Sequence, residues 1–492
     1  TSAYWTDSIN VVEALKTDRH LALEMFSNSM VSDYNQLPIV PLFPILLIFG
    51  TSRMTFLLSI LNLYGIPFAA IAAIMTSVIK NTFFKKKKFS VLLYPLLFSA
   101  FLLSPQTLIP ILNGRPDIIC LVVISSILLL VTKTRMQFIS NYFTLALLTF
   151  VLITLRRYYC FLAIGIYFGI FVIEFVKNYK NFKTSKQLLF RKTIKLAGKL
   201  IVSGLVMIAL MGIFTPKLLY RYIFGNYGDA YSAYQVSLSG HMESLVDYFG
   251  IAILAAGILG LLLAIIKRRK TNEVSFLYFL ITATICCFLL FIRVQKFGDQ
   301  HFYMLLPCFL IGIASIIALA FNNKKTAIVS VLLAASMPIL TAATFGFIKL
   351  DDNLLLPNHF YPVQRSDKDT ISKLDLELED IVEDDEFVYV LSSSDYFSCA
   401  ILQNNKLPTT PGYNIVNAHQ ADKRDGFPEF FFDAKYIIVT DPIQTHLAEG
   451  SQDVISYLSQ TIIDNEAENL TLVNKYEIDD GVKLKLYRKD NS

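Results

Sequence analysis

Apolar residues recur along this chain in long, nearly charge-free runs between positions 53 and 347, then give way to short alternating runs. The long runs approach the ~20 residues that a helix needs to cross hydrocarbon. They predict ten membrane spans, at about 53–79, 89–104, 118–132, 138–155, 158–176, 198–214, 248–266, 274–292, 302–321 and 327–347. The segment LPIVPLFPILLIFG, 37–50, is too short to span and holds three prolines. It predicts a re-entrant or interfacial helix. Midway between 138 and 176, Arg156 and Arg157 interrupt the apolar pattern. One continuous helix there would be about 58 Å long, nearly twice the hydrocarbon thickness, so a tight hairpin is expected with both arginines at its tip.

From about 350 the pattern changes. FVYVLSSS (387–394), AKYIIVTD (434–441) and VKLKLYRK (482–489) read as strands, and 369–383 and 448–463 as helices. That alternation predicts a small α/β domain. The acidic run at 375–386 reads as a solvated helix face and strand approach. The expected organisation is therefore residues 1–52 as an outer loop with juxtamembrane helices, 53–348 as a transmembrane domain and 349–492 as a soluble α/β domain.

Composition agrees with a bilayer setting. The chain is 54% apolar and 17% charged, where soluble domains carry about 25% charged residues. Its net charge of +5 hides a division: residues 350–492 hold 12 Lys/Arg against 27 Asp/Glu, a net of −15, and the rest is +20. The positive charge sits in alternate loops: Lys85 to Lys88, Lys133 with Arg135, the Lys-rich stretch 177–199, KRRK at 267–270, and Lys324 with Lys325. The positive-inside rule places these in the cytoplasm, so they report topology rather than nucleic-acid binding. Ten crossings then put residues 1–37 and the C-terminal domain outside a cell membrane. The six cysteines show neither metal spacing nor a disulfide framework.

This topology gathers an unusual set of groups on the outer side. Asp7 and Asp33 lie in the first segment, Asp117 opens a span, and Arg156 and Arg157 form a hairpin tip. The loop 215–246 contributes Tyr231, Tyr234 and Gln235, and the stretch 292–307 contributes Arg293, Lys296, His301 and Tyr303. Each has a plainer role. An acid at a helix start meets the positive dipole end, interfacial arginines anchor to headgroups, and tyrosines form aromatic belts. Their coincidence on one side favours a shared purpose. External cations suit an anionic ligand such as a lipid phosphate. A carboxylate would accept the proton of an attacking hydroxyl, and the cations would stabilise charge on a departing lipid phosphate.

The order of motifs resembles the GT-C glycosyltransferases, particularly bacterial members related to protein O-mannosyltransferases and lipid A aminoarabinose transferase. SDYNQLPIVPLFPILLIFGTSRMTFLLSIL (32–61) is similar to that family's outer loop and proline-rich juxtamembrane helix. GRPD (114–117) resembles the Pro-Asp opening a later span. LRRYYCF (155–161), YSAYQ (231–235), QKFGDQHFYMLLP (295–307) and ADKRDGFPEFFFDAKYIIVTDPIQTHL (421–447) resemble blocks of one bacterial branch. The resemblance implies a GT-C-like polytopic helical fold and an inverting transferase. Its donor would be a polyprenyl-phosphate sugar, and its acceptor an extracytoplasmic cell-envelope glycan, lipid or protein. It implies a catalytic acid in the first outer loop, with Asp7 and Asp33 as candidates and Asp117 as a further active-site acid. Arg156, Arg157, Arg293, Lys296, His301 and Tyr303 would hold the donor phosphate, and Tyr231, Tyr234 and Gln235 would line the donor or acceptor loop. Relatives begin with a span that this chain lacks, so the first span, and with it the usual acid, is expected just before Thr1 unless Asp7 takes that place. Some relatives use a divalent cation, although no acidic cluster here marks a site for one.

Two other classes compete. A lipid or polysaccharide transporter would carry charge at mid-membrane on broken helices, whereas here mid-span charge is scarce. An O-antigen polymerase-like or ligase-like enzyme shares the outer arginines but not the proline-rich helix or the large C-terminal domain.

Overall fold

The computed structural model describes the chain except for residues 1, 31–34, 84–92, 135, 183–184, 269–273, 322–325, 352–353, 361–364, 406–410, 465–468 and 491–492. Asp33, Lys85 to Lys88, Arg135, Arg269, Lys270, Lys324 and Lys325 lie outside the described residues. The chain forms two compact units: Thr1–Gly225 with Val236–Tyr361, and Asn226–Gln235 with Pro362–Ser492. The boundary near 349 therefore moves to about 361, and a ten-residue insert from the helical half joins the C-terminal unit.

The first unit is helical. Among the described residues, six helices are long and apolar enough to cross a membrane: Arg53–Thr76, Pro116–Thr134, Tyr159–Tyr179, Lys186–Phe214, Leu238–Lys267 and Ala327–Thr344. A seventh crossing arises if the bent pair Leu93–Leu102 and Pro105–Leu112 is one span. The expected spans at 138–155, 274–292 and 302–321 appear as shorter apolar helices, Ile139–Leu155, Ser275–Phe291 and Leu306–Phe321.

Several boundaries differ from expectation for local reasons. The span expected at 89–104 bends by 50° because Pro105 forces Ser104 into an extended conformation, ψ 144°. The Lys-rich stretch expected as a loop is helical from Lys186, since Lys, Leu and Gln are good helix formers. The helix Leu238–Arg268 is broken at Gly250, whose φ of 72° no helical residue adopts. There Ile251 and Ala252 donate to the carbonyls of Leu354 and Leu355 at 2.9 and 3.1 Å, and a Cβ at 250 would meet the Leu356 carbonyl carbon at 2.5 Å. Segment 37–50 is indeed helical, as a 3-10 turn Leu37–Leu42 followed by Phe43–Phe49. The hairpin expected at Arg156 is present, with Ile139–Leu155 ending and Tyr159–Phe182 beginning on either side of it.

The C-terminal unit holds a five-stranded sheet. Its strands are β1 (Phe387–Leu391), β2 (Asn414–Asn417), β3 (Tyr436–Asp441), β4 (Leu470–Glu477) and β5 (Lys483–Lys489), in the order β2-β1-β3-β5-β4. β1 pairs in parallel with β2 and β3, while β5 runs antiparallel to β3 and β4. Side chains alternate across the sheet. Val388, Val390, Ile438, Leu484 and Leu486 enter one core beside the helix Lys368–Ile381, and Tyr389, Leu391, Ile437, Val439 and Tyr487 enter the other beside Asp453–Ile463. β2 and β4 escaped the sequence reading, being short or largely exposed edge strands. The acidic run is not wholly solvated: Asp375 is fully buried. It accepts hydrogen bonds from the Tyr413 hydroxyl at 2.8 Å and the Asn405 amide at 2.9 Å.

Candidate functional site

In the helical unit, three loops at the ends of apolar helices bring polar side chains into one buried cluster. The first is built from Asn113 to Ile118. The helix Pro105–Leu112 ends, Gly114 reverses the chain at φ 67°, and Pro116 starts the 3-10 turn that presents Asp117. Proline suits that first turn, where its missing N–H would be unpaired in any case. The loop is held from below by Arg53. Its guanidinium lies 5.2 Å from the Trp5 ring and 5.8 Å from the Phe56 ring and donates to the Asn113 carbonyl at 3.0 Å. The φ of 67° favours glycine here, and a Cβ at Gly114 would sit 2.6 Å from Arg53 Nη1, so any other residue must displace that guanidinium.

The second loop supplies Arg156. Its Nε pairs with Asp117 Oδ1, its Nη1 donates to the carbonyls of Asn35 at 3.2 Å and Leu155 at 3.0 Å, and its guanidinium lies 5.1 Å from the Tyr4 ring. The side chains of the pair are only 1% and 5% exposed. Asn35 in turn donates to the Thr154 carbonyl at 2.8 Å, which ties the first segment to the hairpin. Burial pulls Arg156 down to about 10, which leaves it protonated at neutral pH. The Tyr4 hydroxyl stands 3.5 Å from Asp117 Oδ1.

The third loop is the 3-10 turn Asp299–Met304. Arg115 reaches Asp299 at 3.3 Å and the Gln300 side-chain oxygen at 3.1 Å, and the Tyr303 hydroxyl faces the same guanidinium. His301 is packed edge-on against Tyr158 with ring centres 4.6 Å apart. Its Nδ1 accepts from the Gly298 N–H at 2.9 Å and its Nε2 lies 3.3 Å from the Gln295 amide. With Nδ1 accepting, the neutral ring carries its proton on Nε2, and the Gln295 amide accepts that proton through its oxygen once its O and N are exchanged, so the neutral ring is the one this turn is built around. Burial first, then Arg157 and Arg115, push His301 down to about 3.

This has a measurable consequence. The unfolded ring charges below about 6.5 while the folded one stays neutral, so the unfolded state binds the extra proton. The stability His301 contributes is thus complete above about 6.5. As pH falls toward 3 it is lost, at up to about 1.4 kcal/mol per pH unit. Thermal unfolding of the detergent-solubilised protein at stepped acidic pH should show that slope, and His301→Gln should flatten it. An equal slope in the variant would assign the effect to other groups.

The expected site residues are distributed unevenly. Asp117, Arg156, His301 and Tyr303 meet, with Arg157 half-buried beside His301. Asp7 lies half-buried on the helix Ser2–Thr17. It has no hydrogen-bond or ion-pair partner among the described residues, and burial raises its carboxyl above the usual range. Being three residues beyond Tyr4, it shares a helix surface with the residue that reaches Asp117. Arg293 and Lys296 are exposed. Tyr231, Tyr234 and Gln235 belong to the C-terminal unit.

Sequence reasoning missed Tyr4, Asn35, Arg53, Asp299, Gln300 and Tyr248. Arg115 is legible in GRPD, and Tyr158 only as part of LRRYYCF. Nothing in the local pattern marks Tyr248, which stacks on Phe302 with centres 4.6 Å apart. The hydroxyls of Tyr158 and Tyr248 are buried with no hydrogen-bond partner among the described residues. Such groups cost about 1–3 kcal/mol each and commonly await a ligand or water. Among the described residues, no three His, Cys, Asp or Glu side chains come together as metal ligands.

No protein family, curated protein or solved structure matches this chain.

Proposed function

We propose that the chain is a membrane glycosyltransferase that moves a sugar from a polyprenyl-phosphate-linked donor to an extracytoplasmic acceptor. The observation that carries this reading is the convergence of residues 115–117, 156–158 and 299–303 on one buried polar cluster at the ends of apolar helices, with two unpartnered tyrosine hydroxyls in it. Among the described residues six helices are long and apolar enough to cross a membrane, or seven with the bent pair taken as one span, and this reading counts three of the shorter apolar helices as further crossings. Taking the basic loops as cytoplasmic, that count would put the cluster at the outer leaflet, where a lipid-borne sugar phosphate would present its head.

In this mechanism Asp7 is the base. A lone carboxylate raised by burial is suited to take a proton from an acceptor hydroxyl. The freed oxygen bonds to the anomeric carbon as the bond from that carbon to phosphate oxygen breaks, and polyprenyl phosphate departs with the electron pair. Arg115 and the hydroxyls of Tyr158, Tyr248 and Tyr303 donate to that phosphate. Asp117 and Arg156 position the loops. The GT-C resemblance of the motifs supports the same assignment, with inversion at the anomeric carbon.

The test is turnover of labelled polyprenyl-phosphate sugars by the full chain in proteoliposomes. Asp7→Asn is expected to cut the rate by about 10²-fold or more while leaving thermal unfolding near that of the parent. Undiminished turnover by that variant would remove Asp7 from the chemistry. A parent protein that neither binds nor consumes any donor in the panel would overturn the reading itself.

A further inference from the structure

The C-terminal unit is strongly acidic, yet one stretch of it bears bare phenyl rings. Between Gly426 and Asp433, Phe431 enters the core, while Phe427, Phe430 and Phe432 are 46%, 36% and 57% exposed. The Phe427 and Phe432 rings lie 5.9 Å apart. Three exposed aromatics so close in sequence mark a surface that something covers.

The insert Asn226–Gln235 indicates what does. It packs within the C-terminal unit: the Arg424 guanidinium lies 5.9 Å from the Tyr234 ring, and Asp425 holds that guanidinium at 2.6 and 2.7 Å. The short helix Tyr227–Ala230 packs on the helix Asp422–Asp425. Both ends of the insert are joined to membrane-type helices. On one side, the candidate span Lys186–Phe214 leads into Pro216–Phe224. That helix exposes Tyr220, Ile223 and Phe224 by 65%, 61% and 68%. Their i, i+3, i+4 spacing makes one apolar face, the character of a helix lying in the headgroup region. On the other side, the candidate span Leu238–Lys267 begins three residues past Gln235. The insert is therefore tethered at both ends to helices long and apolar enough to cross a membrane. The residues it grips, Asp422–Asp425, are two positions from Phe427.

We propose that Phe427, Phe430 and Phe432 insert into the lipid headgroup region, so that the C-terminal unit rests on the bilayer through an aromatic foot fastened by the Tyr234–Arg424 contact. Charge does not drive the attachment. Residues 422–433 carry two basic and four acidic side chains within a unit of net −14, which an anionic surface would repel. The attachment is hydrophobic and insensitive to salt. This inference needs only the membrane spans, and it stands or falls independently of glycosyl transfer.

The test uses the full chain in nanodiscs made with phosphatidylcholine brominated on its acyl chains. Phe432→Trp adds a reporter to the one native tryptophan, Trp5, whose emission is subtracted using the parent protein. The new emission is expected to be quenched severalfold more by bromolipid than by aqueous iodide, equally at low and high salt. Leu376→Trp, 58% exposed on the helix over the other sheet face, is expected to respond to iodide alone. Iodide quenching of Phe432→Trp without bromolipid quenching would leave the patch in water and overturn the proposal. Emission reached by neither quencher would mean that protein covers it, which overturns the proposal equally. Adding Arg424→Ala should lower bromolipid quenching, and unchanged quenching would remove the fastening contact.

Discussion

Arg156→Met should destabilise the folded protein by up to about 3–5 kcal/mol, because it removes the guanidinium paired with the buried Asp117 carboxylate and leaves Arg115 as its remaining neighbouring cation. Asp117 is 4% exposed and Arg156 1%, so neither can turn to water. The loss should not be additive. Joining Asp117→Leu to Arg156→Met removes both charges, and a double variant of matched apolar volume is expected to recover much of the stability. Unfolding midpoints of the single and double variants in detergent would decide. Additive losses would mean that the two side chains matter separately, through Tyr4, Asn35 and the loop carbonyls. Under the proposed transferase reading, the recovered double variant should remain inactive, since the pair fixes the geometry of the loops carrying Arg115 and Tyr158.

The second large effect lies where two membrane-type helices cross. Leu238–Arg268 and Leu306–Phe321 approach through Gly257, Gly260 and Gly312. A Cβ at Gly312 would come 2.0 Å from the Gly257 carbonyl oxygen, and one at Gly260 would come 1.9 Å from the Gly312 carbonyl oxygen. Backbone cannot yield as a side chain can. Gly312→Ala must therefore push the helices apart and break the close packing that small residues permit. A cost at or above the upper end of the ~1–3 kcal/mol usual for overpacking is expected, read as lost folded yield and a lower unfolding temperature. Gly204→Ala is the control. Nothing lies within 4 Å of a Cβ there, and alanine in a helix interior should be neutral or stabilising by about 0.5–1 kcal/mol. Equal behaviour of the two variants would refute the close approach.

Element existence was largely legible because it rests on local runs. Apolar stretches near 20 residues became helices, and FVYVL, YIIVTD and KLKLYRK became strands buried on one or both faces. Boundaries failed where a single residue overrode the run, as at Pro105 and Gly250. Within the site, Asp117 and Arg156 were legible because a charge beside hydrocarbon is costly and demands a reason. Arg53, Asn35 and Tyr248 carry no such flag. An arginine after TS, an asparagine in a polar loop and a tyrosine in an apolar helix are ordinary in sequence. Their partners Asn113, Thr154 and Phe302 lie 54 to 119 positions away.

The sequence by itself determined the membrane character, the division into a basic helical part and an acidic α/β part, and the polar residues that interrupt apolar runs. Each of these follows from hydropathy and charge summed over neighbouring residues. Only the tertiary structure decided that Arg156 rather than solvent neutralises Asp117, that Arg115 turns to Asp299 and Gln300, and that residues 226–235 leave the helical unit for the C-terminal one. Those choices depend on which distant groups become neighbours once water is excluded, and burial makes a buried charge take the partner that packing supplies.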